Sequence, residues 1–111
     1  MGDRICLTFV GDNDERSPVL YAHWDGKSLI DKAERFWEEY HGKIRTEASN
    51  WMVNFLNWLR KGKVMDGSYY LYRDEDNCCS PDDHGFWEMD IRTGEVSHPR
   101  KGEWETDEEE D

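Results

Sequence analysis

Residues 28 to 61 carry two consecutive stretches in which large apolar side chains recur at helical spacing, and this pattern limits the chain more than any other. In the first, Leu29, Ile30, Ala33, Phe36, Trp37 and Tyr40 fall within an arc of about 120° at 100° per residue. In the second, Trp51, Met52, Phe55, Leu56, Trp58 and Leu59 cover a wider arc of roughly 160°. Two helices with stripes this aromatic must bury them against something, and the flanking segments supply a sheet. Ser28 with Asp31 fits a capping box opening the first helix, and Gly42 suits the residue just beyond its end. Thr46 reads as the start of the second, Gly62 as its stop, and Arg60 and Lys61 sit where a helix C-terminus favours cations. The wider stripe predicts that the second helix is the more deeply buried.

Ahead of the helices, "RICLTFV" (4 to 10) alternates Ile5, Leu7 and Phe9 against Cys6, Thr8 and Val10. Both faces are apolar, as in a strand well inside a sheet. The turn-forming run "GDNDERSP" leads into "VLYAHWD" (19 to 25), which predicts an antiparallel hairpin with a wide loop. After the helices come "SYYLYRD" (68 to 74), a polar loop, "GFWEMDIR" (85 to 92), a turn at Gly94, and a short last strand stopped by Pro99. The expected fold is α+β, an antiparallel sheet in ββααβββ order with two helices packed on one face. The domain spans residues 1–102, and residues 103–111 form an acidic disordered tail.

The formal net charge of −12 divides unevenly along the chain. "EWETDEEED" (103 to 111) holds seven acids and no bases, which leaves nineteen acids against fourteen bases before it, a net of −5. Phosphate affinity comes from clustered Lys and Arg, and the linear sequence has no such cluster, so direct nucleic-acid binding is not expected. No run nears the roughly 18 apolar residues of a membrane span, and no leader pattern precedes the first strand. Three cysteines, an odd number, argue against a secreted disulfide framework. A cytoplasmic location is the expectation.

Candidate chemistry gathers in two places. "DNCCSPDDHGFWEMD" (76 to 90) offers Cys78, Cys79, Asp82, Asp83 and His84, yet adjacent thiols rarely face one ion and the zinc spacing is missing. Calcium loops need a pattern that neither "GDNDE" nor "DEDN" follows. Surrounding carboxylates would raise a thiol pKa, which opposes cysteine catalysis. A polar turn accounts for the stretch, and neither a metal nor a cofactor is expected. Glu88 and Asp90 alternate to one strand face, with Trp87, Met89 and Ile91 on the other; they read either as paired carboxylates or as a solvated outer face.

"YAHWDG" (21 to 26) is the second place. Tyr21 and His23 point to one side of a strand, Ala22 and Trp24 to the other. This stretch, the helices, and the later "HGFWEMDI" and "TGEV" resemble small uncharacterised proteins of phage and microbial genomes. That resemblance implies no activity, cofactor or partner.

Six Trp exceed the obvious needs of a small core, and exposed Trp and Tyr are favoured interface anchors. The leading expectation is a non-catalytic small acidic protein that binds a protein partner with a basic surface, using Tyr21, His23, Trp24, Asp25, His84 and Trp87. Its acidic tail would steer the encounter. The alternative is a metal-dependent or hydrolytic enzyme using His23, Asp25, His84 and the loop carboxylates. That alternative requires the two histidines to converge.

Overall fold

The computed structural model describes residues 3–61, 69–73 and 84–100, with residues 99 and 100 described by their backbone alone. The chain runs β1 (Ile5–Val10), β2 (Val19–Ala22), α1 (Ser28–Tyr40), α2 (Ala48–Arg60), β3 (Tyr69–Tyr72), β4 (Phe86–Asp90) and β5 (Glu95–Arg100), with one 3-10 turn at Asp12–Asp14. The fold is α+β, and the ββααβββ order matches the sequence reading. The sheet departs from it. It is mixed rather than wholly antiparallel, in the spatial order β3-β2-β1-β4-β5.

The departure lies at β4, which pairs parallel with β1 from Cys6↔Phe86 to Val10↔Asp90. β2 pairs antiparallel with β1, and β3 antiparallel with β2. A strand apolar on both faces is most stable in the middle of a sheet, with a neighbour on each side. β2 covers one flank of β1, and β4 covers the other. β5 closes that side as an antiparallel partner of β4. Pro99 does not stop β5, which continues to Arg100. β5 is an edge strand, and the register shifts between Phe86 and Glu88, so a residue without an N–H is tolerated there.

Both helices pack on one face. Ile5, Leu7 and Phe9 of β1, Leu20 and Ala22 of β2, and Met89 join the helical stripes in one buried cluster. Phe36 is its hub, with ring centroids 5.3 Å from Trp51, 5.5 Å from Phe55 and 5.5 Å from Trp58. Each helix buries four residues: Leu29, Ile30, Ala33 and Phe36 from α1, and Ala48, Trp51, Met52 and Phe55 from α2. The second helix is therefore no deeper than the first, because Leu56, Trp58 and Leu59 only border the cluster. The opposite sheet face carries a smaller cluster of Cys6, Val19, Tyr21 and Phe86, bordered by Tyr72.

Helix ends differ from expectation in instructive ways. Ser28 lies in the first turn of α1, and its hydroxyl donates back to the Asp25 carbonyl at 2.6 Å, so no capping box forms. α2 begins at Ala48, after Glu47. Thr46 instead joins the helix layer to the β1–β2 connection, its hydroxyl donating to Asp12 at 2.8 Å and its carbonyl accepting the Asp12 N–H. Gly42 and Gly94 adopt the positive φ expected of them, both 82°. Gly94 is also required for space, since a Cβ there would stand 2.8 Å from the Trp37 ring. That ring donates to the Ile91 carbonyl at 2.9 Å and fixes the end of α1 over the β4–β5 turn.

Gly62, the loop with Cys78, Cys79, Asp82 and Asp83, and the acidic segment 103–111 lie outside the described residues. Among the described residues no helix is long and apolar enough to cross a membrane.

Phe36→Ala should lower the unfolding free energy by about 3–5 kcal/mol, the usual range for emptying an aromatic site. Val53→Ala, on the exposed side of α2, should change it by less than about 0.5 kcal/mol. Trp51→Phe should fall between them, because the buried Trp51 indole N–H has no acceptor among the described residues and its removal offsets part of the lost packing. Urea unfolding curves measure all three; equal effects for Phe36 and Val53 would contradict this core.

Candidate functional site

The mixed topology gathers the sequence-predicted residues at one end of the sheet. β1 and β4 run parallel and start there, β2 ends there and β3 starts beside it. Tyr21, His23, Trp24 and Asp25 leave β2 at that end, while His84 and Trp87 flank the start of β4. Asp3, just before β1, joins the three. Its N–H donates to the His23 carbonyl at 2.7 Å, its carbonyl accepts the Gly26 N–H at 2.8 Å, and its Oδ1 accepts from His84 Nε2 at 2.7 Å. A Cβ on Gly26, whose φ is +57°, would lie 2.6 Å from the Asp3 carboxylate, so glycine is needed at that crossing.

Each candidate polar group is engaged in a separate pair. His23 Nδ1 and the Tyr21 hydroxyl share a 2.8 Å hydrogen bond on the sheet face that carries the smaller cluster. Asp25 accepts from the Tyr69 hydroxyl at 2.6 Å and from Lys32 of α1 at 3.5 Å. Tyr69 borders the helix-side core, so Asp25 belongs to the opposite side of the sheet from His23. His84 pairs with Asp3, and its carbonyl accepts the Trp87 indole N–H at 2.7 Å. Trp87 in turn stacks on His98 at 4.3 Å, with the Lys27 ammonium 5.7 Å from its ring centroid. The structure thus brings His23 and His84 to the same end of the sheet but commits them to different partners. Among the described residues no group of three or more His, Cys, Asp or Glu side chains could hold a metal ion.

Glu88 and Asp90 occupy the outer sheet face, opposite Met89, as their alternation predicts. They do not act as a carboxylate pair, because each is taken by its own arginine. Arg16 contacts Glu88 at 2.7 Å, and Arg92 contacts Asp90 at 2.9 Å while reaching Asp14 at 3.0 Å. The hydrogen bond from the Arg92 side chain holds the Asp90 carboxyl below its ordinary 3.8, against a smaller opposing effect of burial. A carboxylate stabilised in this way is a poor proton donor near neutral pH.

Two features escaped the sequence reading. Asp3 shows no local signal, since its role depends on three partners, His23, Gly26 and His84, all 20 or more residues along the chain. The second is a cleft of about 320 Å³ lined by Lys32, Arg35, Trp58, Leu59, Arg60 and Lys61. Arg60 and Lys61 are adjacent in sequence, but only the helical hairpin brings Lys32 and Arg35 to them; the i, i+3 spacing of Lys32 and Arg35 was the other hint.

Three of the four large apolar side chains exposed among the described residues lie on β3 or just beyond β2; the fourth, Val53, is on α2. Trp24 is 57% exposed, Tyr70 48% and Leu71 50%. Trp24 stands edge-on to His23, and Tyr70 packs 5.8 Å from Tyr21. β3 is an edge strand, paired on one side only among the described residues. Comparisons with family models, curated proteins and solved structures return no match, so no activity or partner is brought in by likeness.

Because Asp90 titrates lower in the folded chain than in the unfolded one, its stabilisation is present above the unfolded value and is lost as pH falls through the folded one. That window lies below the ordinary 3.8. Arg92→Gln should raise the Asp90 pKa toward that ordinary value and remove this acid-side dependence. Carboxyl carbon shifts followed by NMR through an acid titration read the change directly, and an unmoved Asp90 midpoint would contradict the assignment.

Proposed function

We propose that this chain is a non-catalytic binding module that docks on another protein through the β3 edge and Trp24, and that the partner's contacting surface is basic. The observation that carries the reading is the exposure of Trp24, Tyr70 and Leu71 on and beside an edge strand. An extended segment of another chain can add to an edge strand. Tyr and Trp are the side chains most enriched among residues that dominate binding energy. Seven of the chain's acids lie in its last nine residues, and such a charge concentration speeds encounter with a positive patch.

The enzymatic alternative draws its support from one contact, the His84–Asp3 pair at 2.7 Å, which has the form of an oriented general base. The other candidates for that chemistry, His23 and Asp25, are held by Tyr21 and Tyr69. The binding reading uses surface that is open, whereas the catalytic one would have to break bonds already made.

A partner captured from lysate by the full chain should bind Trp24→Ala/Tyr70→Ala at least about 30-fold more weakly, the equivalent of one strong anchor lost. Removing residues 103–111 should flatten the salt dependence of the association rate and leave dissociation nearly unchanged. Affinity that survives the double substitution would remove the β3 edge from the interface. A rate insensitive to the truncation would remove the basic partner.

A further inference from the structure

We infer that the cleft between α1 and the end of α2 is a binding site for a nucleoside phosphate, independent of the β3 edge. α1 and α2 pack side by side in the core, and α2 returns its last turn to the early turns of α1, so Arg60 and Lys61 meet Lys32 and Arg35. The lining holds four cations and two apolar side chains, with no carboxylate among the described residues that form it. On a chain of net charge −12, this is a local reversal of sign.

The ordinary structural explanation covers only part of the arrangement. The C-terminal carbonyls of α2 favour Arg60 and Lys61, and Lys32 reaches Asp25 at 3.5 Å. Neither effect accounts for Arg35, which comes from the other helix to the same concavity. Arg35 and Lys61 make no side-chain hydrogen bond or ion pair with any described residue. A guanidinium offers phosphate two parallel N–H donors, and ammonium groups add charge from other directions.

The floor selects among phosphate ligands. Trp58 is packed from below by Phe36 at 5.5 Å and Phe55 at 6.0 Å, which fixes the indole while it still lines the cleft. An immobilised indole beside cations suits a base that stacks while its phosphate is gripped. The volume of about 320 Å³ sits at the lower end for small-molecule sites, which fits a mononucleotide better than a polymer. The acidity of the remaining surface also disfavours a long polyanion.

NMR titration of the full chain with AMP, ATP, adenosine, inorganic phosphate and a short single-stranded oligonucleotide tests this. The Trp58 indole N–H and the Arg35 and Lys61 signals should move with AMP and ATP, at lower concentration than with phosphate or adenosine alone. Arg35→Glu/Lys61→Glu, at exposed positions that leave the core intact, should weaken ATP binding at least tenfold. Trp58→Leu should erase the preference for ATP over inorganic phosphate. Signals unmoved by millimolar ATP, or moved equally in the charge-reversal variant, would overturn the site. Tighter binding of the oligonucleotide than of ATP would overturn the ligand class.

Discussion

All six residues of β1 are buried, and the need to cover both of its faces organises the rest of the molecule. On one side Ile5, Leu7 and Phe9 meet the helical stripes. Burying an aliphatic or aromatic side chain of this size contributes about 1.5–3 kcal/mol, so the helices are fixed chiefly by what they cover here. On the other side Cys6 meets Val19, Tyr21 and Phe86, which come from the strands on either flank. A strand with such demands must have two neighbours, and β2 and β4 are those neighbours. The parallel β1–β4 ladder then brings the start of β4 beside the start of β1. The Asp3–His84 contact and the gathering of the candidate residues follow from that placement.

Local pattern made some of this legible and left the rest hidden. Period-2 alternation placed Ile5, Leu7 and Phe9 together, predicted the shared side of Tyr21 and His23, and put Glu88 and Asp90 outside. Helical periodicity identified both stripes. Strand direction was not legible, because nothing within Phe86–Asp90 distinguishes a parallel partner from an antiparallel one. The capping box failed for a related reason: the Ser28 hydroxyl had a competing acceptor in the Asp25 carbonyl, at the turn that Gly26 and Asp3 impose. Asp3 and His84 stand 81 residues apart in sequence, and contacts of that separation leave no trace in spacing.

The same contrast separates the two functional readings. Catalysis needs polar groups held ready for substrate, yet the histidines and Asp25 are already partnered, and the outer carboxylates are neutralised by Arg16 and Arg92. Binding needs surface whose burial is favourable and not yet taken. Trp24, Tyr70 and Leu71 meet that condition, on and beside β3, whose outer edge no described strand pairs. The helix side adds a concavity of opposite charge. A small domain can carry both because its core uses only the inner stripes of the helices and leaves their outer faces open to other uses.

Amide hydrogen exchange on the free protein tests most directly whether the centre of the sheet is closed while its β3 edge stays open. The account predicts that β1 amides exchange only through global unfolding, while the β3 amides not bonded to β2 exchange orders of magnitude faster. Protection of those β3 amides equal to that of β1, in the free chain, would mean that the edge is already occupied and would contradict the account.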